Sequence, residues 1–250
     1  MTNQASPAVT SRTFVRLRPT DLPLALAELH RSLPVGARVD VELPLGTAEI
    51  EPVMSGGGFD RMRVRDEPAL GCRVGATWVR AERALTLPDY VGADMRLLMC
   101  GLNPSVYSAE AGAGFARPGN RFWPAMVAAG LCDRPIDPHR LLLRDRIGMT
   151  DLVKRATPRA SDLRPDEYRS GVERVRRLVA WLRPAATCVV GLAGWRTAVD
   201  RGAVAGEQPG GLGDRPVYLM PNTSGLNAHC TPADFRDHLV AAAALADGAR

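Results

Sequence analysis

The chain has 250 residues, of which 46% are hydrophobic and 24% charged, with a formal net charge of +5 and a pI near 9.2. That length can bury a sizeable core in one large or two small units, and no apolar run approaches the ~20 residues of a membrane span, so no membrane partner is expected. The excess of positive charge suits a polyanionic partner without proving one.

Residues 1–11 are polar, lack the apolar centre of a secretory signal and are expected to be disordered, which makes the protein cytoplasmic, or nucleoid-associated if bacterial. Residues 12–88 read as a small α/β module. Its elements are a helix at 23–33, a strand at 38–43, a helix from 50–54, a Gly-rich turn at Ser55 to Gly58, and strands at 61–65 and 76–83. Residues 86–93, with Pro88 and Gly92, form the linker. A second unit, 94–250, opens with a buried strand at 95–100, a tight loop, and a helix at 121–131. A short helix follows within 135–144, then a segment at 148–153 and a long amphipathic helix at 164–182 that begins with Pro165, Asp166 and Glu167. A β-branched strand at 187–192, a short helix at 195–201, a strand at 217–220 and a helix at 235–246, capped by Thr231, complete the chain. Strands alternating with helices predict a three-layer αβα fold with a central, mainly parallel sheet, preceded by the small module. In such sheets ligands sit at the carboxyl ends of the strands.

Two loops fall at such ends. The first is Gly101-Leu102-Asn103-Pro104-Ser105, followed by Gly114-Phe115-Ala116-Arg117-Pro118-Gly119-Asn120-Arg121-Phe122-Trp123. The second is Met220-Pro221-Asn222-Thr223-Ser224-Gly225-Leu226-Asn227. Together they resemble the signatures of the mismatch-specific uracil/thymine-DNA glycosylases, in the uracil-DNA glycosylase superfamily. The resemblance spans about residues 94 to 248 and does not reach residues 1–90. There, the order of helix, strand, helix and closing hairpin resembles the C-terminal half of class I methyltransferases. The half that would bind their cofactor is missing, with no Gly-x-Gly-x-Gly loop after a strand, so the module is read as accessory. Its Arg16, Arg18, Arg61, Arg63 and Arg65 either extend a DNA footprint or are solvated surface.

The glycosylase resemblance implies a set of roles. Asn103 would orient the attacking water; an amide does not titrate, so it can accept a hydrogen bond but cannot act as a base. Phe115 would stack on the flipped base, against the alternative that it is core packing. The loop Gly101, Leu102, Pro104 and Ser105 would present backbone amides to the base, with Ser108 at its C4–C5 edge and Asn120 bracing or touching it. Ser105 replaces a glycine common in the family, and its hydroxymethyl would crowd a thymine methyl. Asp151 stands where relatives carry Asn or Lys. It would accept the uracil N3 proton or activate water, unless it caps a turn or pairs with Lys154 or Arg155. Leu226, flanked by Gly225 and Asn227, would fill the gap left by the extruded nucleotide, with Asn222 and Ser224 near phosphate or the catalytic loop, and His229 either meeting phosphate or an ordinary surface histidine.

Five cysteines, Cys72, Cys100, Cys132, Cys188 and Cys230, contain no Cys-x-x-Cys pair. They read as reduced, mostly core residues, and no metal or other cofactor is expected. Lys154 is the sole lysine. Arginine is never deprotonated, so Schiff-base strand cleavage has almost no amine available, and a monofunctional enzyme follows. The expected activity is hydrolysis of uracil from G·U pairs in double-stranded DNA by a monomer, with thymine a poor substrate. The alternatives are a glycosylase for hypoxanthine or xanthine, and a catalytically silent DNA-damage binder.

Overall fold

The structure, a computed structural model, describes residues 9–64 and 76–249. The expected disordered tail therefore lies largely outside the described residues, as do Arg65 and Cys72. Thr10 and Ser11, counted in that tail from the sequence, belong to a strand.

The N-terminal unit is a four-stranded sheet of β1 (Thr10–Thr13), β2 (Arg38–Leu43), β3 (Phe59–Val64) and β4 (Thr77–Arg83), in the order β1-β2-β4-β3. β1 runs parallel to β2, and the remaining neighbours are antiparallel. Two helices, α1 (Leu22–Ser32) and α2 (Thr47–Gly56), complete its core, with Leu22, Leu26 and Leu29 packed against Val39, Val41, Phe59 and Val79. β1 is a short, mostly exposed edge strand, so it carries no apolar alternation for sequence reading to detect.

The second unit is the predicted three-layer αβα arrangement. Its sheet contains β5 (Leu97–Gly101), β6 (Ile147–Asp151), β7 (Ala186–Val190), β8 (Gly206–Leu212) and β9 (Arg215–Met220), in the order β6-β5-β7-β9-β8. The first four in that order are parallel, and β8 returns antiparallel to β9. All five residues of β5 are buried, and their alternation feeds two cores. Leu97 and Met99 pack with Phe122 and Met126 of α4 (Phe122–Ala128) and with Phe235 and Leu239 of α8 (Pro232–Gly248). Leu98 and Cys100 pack on the other face with Val172, Val175 and Val179 of α6 (Pro165–Leu182) and Trp195 of α7 (Leu192–Ala198). α5 (Pro138–Asp145) packs beside β6, and α3 (Val106–Ala111) follows directly from the β5 loop.

Besides β1, two elements are absent from the sequence reading. β8 contains Gly206, Pro209, Gly210 and Gly211, a composition that disfavours a strand; an edge position tolerates proline because that residue's missing N–H need not enter a ladder. α3 is only six residues long and rests on its cap, Ser105, whose Oγ accepts from Ser108 N at 3.1 Å.

The two units are joined closely. Leu24 and Ala27 of α1 reach the cores of the five-stranded sheet. The linker pairs with β6 through reciprocal Tyr90 and Met149 hydrogen bonds of 2.9 and 2.8 Å.

Candidate active site

The carboxyl ends of β5, β6 and β9 converge on a cavity of about 190 Å³. The loop after β5 forms its floor. Gly101, Leu102 and Pro104 give their carbonyl oxygens to Leu152 N, Val153 N and Thr157 N, at 2.9, 2.9 and 3.1 Å. The loops after β5 and β6 are therefore sewn together past the end of the sheet.

Asn103 lines the cavity. Its Nδ2 donates to Pro104 O and Arg155 O, both at 3.0 Å, and to Thr157 Oγ1 at 2.7 Å. Two of these partners are carbonyl oxygens, and Thr157 Oγ1 spends its own proton on Arg159 O at 2.8 Å, so the amide orientation is fixed by what its neighbours can accept. Among the described residues none hydrogen-bonds Oδ1, which is left as an acceptor for a water or a ligand.

Phe115 lines the same cavity with its ring stacked on Phe122, centroids 4.0 Å apart and planes 19° from parallel. Phe122 is fully buried, and Phe115, half-buried, packs against that core while also forming an aromatic wall of the cavity. Its backbone is left-handed, with φ of +58°, an unfavourable conformation for a bulky residue that the surrounding packing sustains. Gly101, opposite Asp151 in the ladder, lies beneath the cavity: a Cβ there would collide with Asp151 Oδ1 and stand 3.3 Å from Phe115 Cζ.

Asp151 ends β6 and lines the cavity while 92% buried. The alternative of pairing with its neighbours does not hold. Lys154 Nζ is bound to Asp89 at 2.8 Å, and Arg155 to Glu167 at 2.7 Å. Burial pushes the Asp151 carboxyl up to about 6, the effect of Asp89 adding to it while Lys154 and Arg174 oppose it. A carboxyl so placed changes charge near neutral pH, where a proton acceptor is useful.

Further walls come from Ser105, Ser108, Asn120, Asn222 and Ser224. Ser105 Oγ donates to Ser108 Oγ at 3.1 Å, so both hydroxyls are fixed within the wall. Asn120 Oδ1 accepts from Phe122 N at 2.9 Å and from Thr223 Oγ1 at 3.0 Å, tying the first motif to the second. Thr223 thus anchors its loop by a hydrogen bond.

Gly225 and Leu226 do not line the cavity; they border an adjoining groove with Arg117, Pro118, Asn120 and Ser224. Leu226 is 91% exposed. Its turn is closed by Asn227 N to Ser224 O at 2.9 Å and by Asn227 Nδ2 to Asn222 O at 2.8 Å, and His229 lies exposed beyond it. Arg121 holds this loop from below. Its guanidinium donates to Cys230 O at 2.8 Å, Ser224 O at 2.9 Å and Asn227 O, and sits 4.8 Å from the centroid of Phe235.

Sequence reasoning misses Leu87, Thr157, Pro158, Ala160 and, at the carboxyl end of β7, Val190 in the cavity wall. Thr157 meets Asn103 across 54 positions of sequence, and neither motif contains a signal for it. Trp123 is core, as its type predicts, with Nε1 donating to Gly114 O at 2.9 Å. The four described cysteines are free, and Cys100, Cys132 and Cys188 are buried.

Residues 88–244 match the family model described as the uracil DNA glycosylase superfamily. The match covers both motifs, every strand of the five-stranded sheet and the linker residue Asp89.

Proposed function

The chain belongs to the uracil DNA glycosylase superfamily, and from that premise we propose that it is a monofunctional, mismatch-specific glycosylase. It hydrolyses the N-glycosidic bond of uracil, preferring G·U pairs over thymine, and leaves an abasic site for base excision repair. The observation that carries this reading is the fixed amide of Asn103, whose acceptor oxygen is left free in a cavity walled by a backed aromatic ring.

A flipped pyrimidine would lie on Phe115 while Asn103 Oδ1 holds water for attack at C1′. Asp151, once ionised, either accepts the uracil N3 proton or draws a proton from that water, a contribution on the order of 10²–10⁴ in rate for general-base assistance. The Ser105 and Ser108 wall narrows the C4–C5 edge against a thymine methyl. Leu226 fills the vacated stack, and Asn222, Ser224, Asn227 and His229 face the DNA strand. Lys154, bound to buried Asp89, has no part in Schiff-base chemistry on this reading, which supports hydrolysis without strand cleavage. The protein acts as a monomer on double-stranded DNA, and its N-terminal unit is accessory to the chemistry.

Single-turnover excision from duplexes carrying G·U, A·U or G·T, and from single-stranded uracil, tests the proposal. G·U is expected to react fastest and G·T slowest, with Asn103→Ala lowering the G·U rate by on the order of 10²-fold or more. Equal G·T and G·U rates would remove the Ser105 argument. No excision of uracil by the wild type would redirect the search to deaminated purines.

A further inference from the structure

We propose that Asp89 is a positioning residue for Asp151, acting through Lys154 and Arg174, so that the segment leaving the N-terminal unit is part of the working site. The inference rests on the reading of Asp151 as a carboxylate of the reacting site.

Asp89 does not line the cavity, yet it is 2% exposed and fully engaged. Its Oδ1 accepts from Thr150 Oγ1 at 2.6 Å and from Lys154 Nζ at 2.8 Å, and its Oδ2 accepts from Arg174 Nη1 at 2.7 Å. Arg174 Nη2 then donates to Thr150 Oγ1 at 2.9 Å and to the main-chain oxygen of Asp151. Consecutive residues of a strand face opposite sides, so Thr150 enters this cluster while Asp151 faces the cavity. The cluster therefore grips the last peptide of β6 from behind.

It also sets a charge. Two cations and one anion leave a net +1 behind the Asp151 carboxyl, in a region where water screens little. The other titratable group close by, Cys100 on β5, is held as a neutral thiol by burial. Without Asp89 the two cations would repel one another and the net charge would double. The N-terminal unit fixes Asp89 in turn: Asp89 N donates to Gly56 O at 2.7 Å, and a Cβ on Gly56 would stand 2.7 Å from Asp89 Oδ2. Thr86 Oγ1, three residues earlier in the linker, donates to Lys154 O.

A scaffold alone and a charge-setting cluster respond differently to substitution. In the whole 250-residue chain, Asp89→Asn makes the cluster +2, Lys154→Met makes it neutral, and the double variant restores +1. The readouts are single-turnover uracil excision from a G·U duplex across the acid range and ¹³C-carboxyl NMR titration of Asp151 without DNA, the resonance being assigned from Asp151→Asn. Asp89→Asn is expected to move the midpoint to lower pH and Lys154→Met to higher pH, each by on the order of one unit, with the double variant near the wild type. Midpoints of both single variants that coincide with the wild type, whatever happens to thermal stability, would overturn the inference. If Asp89→Asn does not fold, the direction of the Lys154→Met shift decides alone. The underlying reading fails separately: Asp151→Asn would then excise uracil at the wild-type rate with an unchanged pH profile, whereas the NMR midpoints still decide whether the cluster sets the ionisation.

Discussion

At Gly101 an added methyl group has nowhere to go, because Asp151 Oδ1 and Phe115 Cζ occupy the space beside its Cα. Gly101→Ala is expected to displace the carboxylate or the aromatic wall, lowering single-turnover excision by about 10-fold or more and stability by about 1–3 kcal/mol, measured by quench kinetics and denaturant melts. Two titrations oppose each other at this scale. Asp151, raised to about 6, binds its proton more tightly folded than unfolded, so acidification from pH 6 toward 4 adds stability on the order of 2–3 kcal/mol. His30, whose burial lowers it to about 4, binds its proton less tightly when folded and loses a comparable amount in nearly the same window. Asp151→Asn removes the first effect and leaves the second. Its melting temperature should therefore fall more steeply than the wild type's between pH 6.5 and 4.5, as scanning calorimetry would reveal. Asn103 and Phe115 were legible as residues lining the candidate cavity because both lie in one contiguous motif that follows an apolar strand. Thr157 and Asp89 were not, because their meaning lies in contacts made across 54 and 85 positions of sequence.

Loops rather than helices carry the site, and each is held by a distinct device: the β5 loop by three carbonyls given to its neighbour, the Ser224–Asn227 turn by Arg121. Leu226 projects from that turn with almost no contacts of its own, so truncating it leaves the fold intact. Leu226→Ala should keep stability within about 0.5 kcal/mol of wild type. It should slow excision from duplex G·U by about 10- to 100-fold relative to single-stranded uracil, because unstacking costs a few kcal/mol only in a duplex. A matched loss on both substrates would place Leu226 outside base extrusion. Elements with strong apolar periodicity, such as α6 and β5, were readable within a few residues of their ends. β8 and α3 were not: one is a glycine-rich edge held by pairing, the other a single capped turn and a half that owes its existence to Ser105.

Across the whole molecule the linker is less of a boundary than its proline and glycine imply. α1 contributes Leu24 and Ala27 to the sheet of the second unit, and the linker adds a bridge to β6. One cooperative unfolding transition is expected by calorimetry, with Leu24→Ala, at a partly buried position, lowering stability of the whole chain by about 1–2 kcal/mol. Two separable transitions would restore the reading of independent units. The sole lysine adds a practical consequence. Its side chain is 11% exposed and its ammonium is locked against Asp89, so an amine-acylating reagent can reach it only when that cluster opens. The slow appearance of one acyl adduct at Lys154, followed by mass spectrometry, would clock the breathing of the seam between the two halves of the chain without any label having to be engineered.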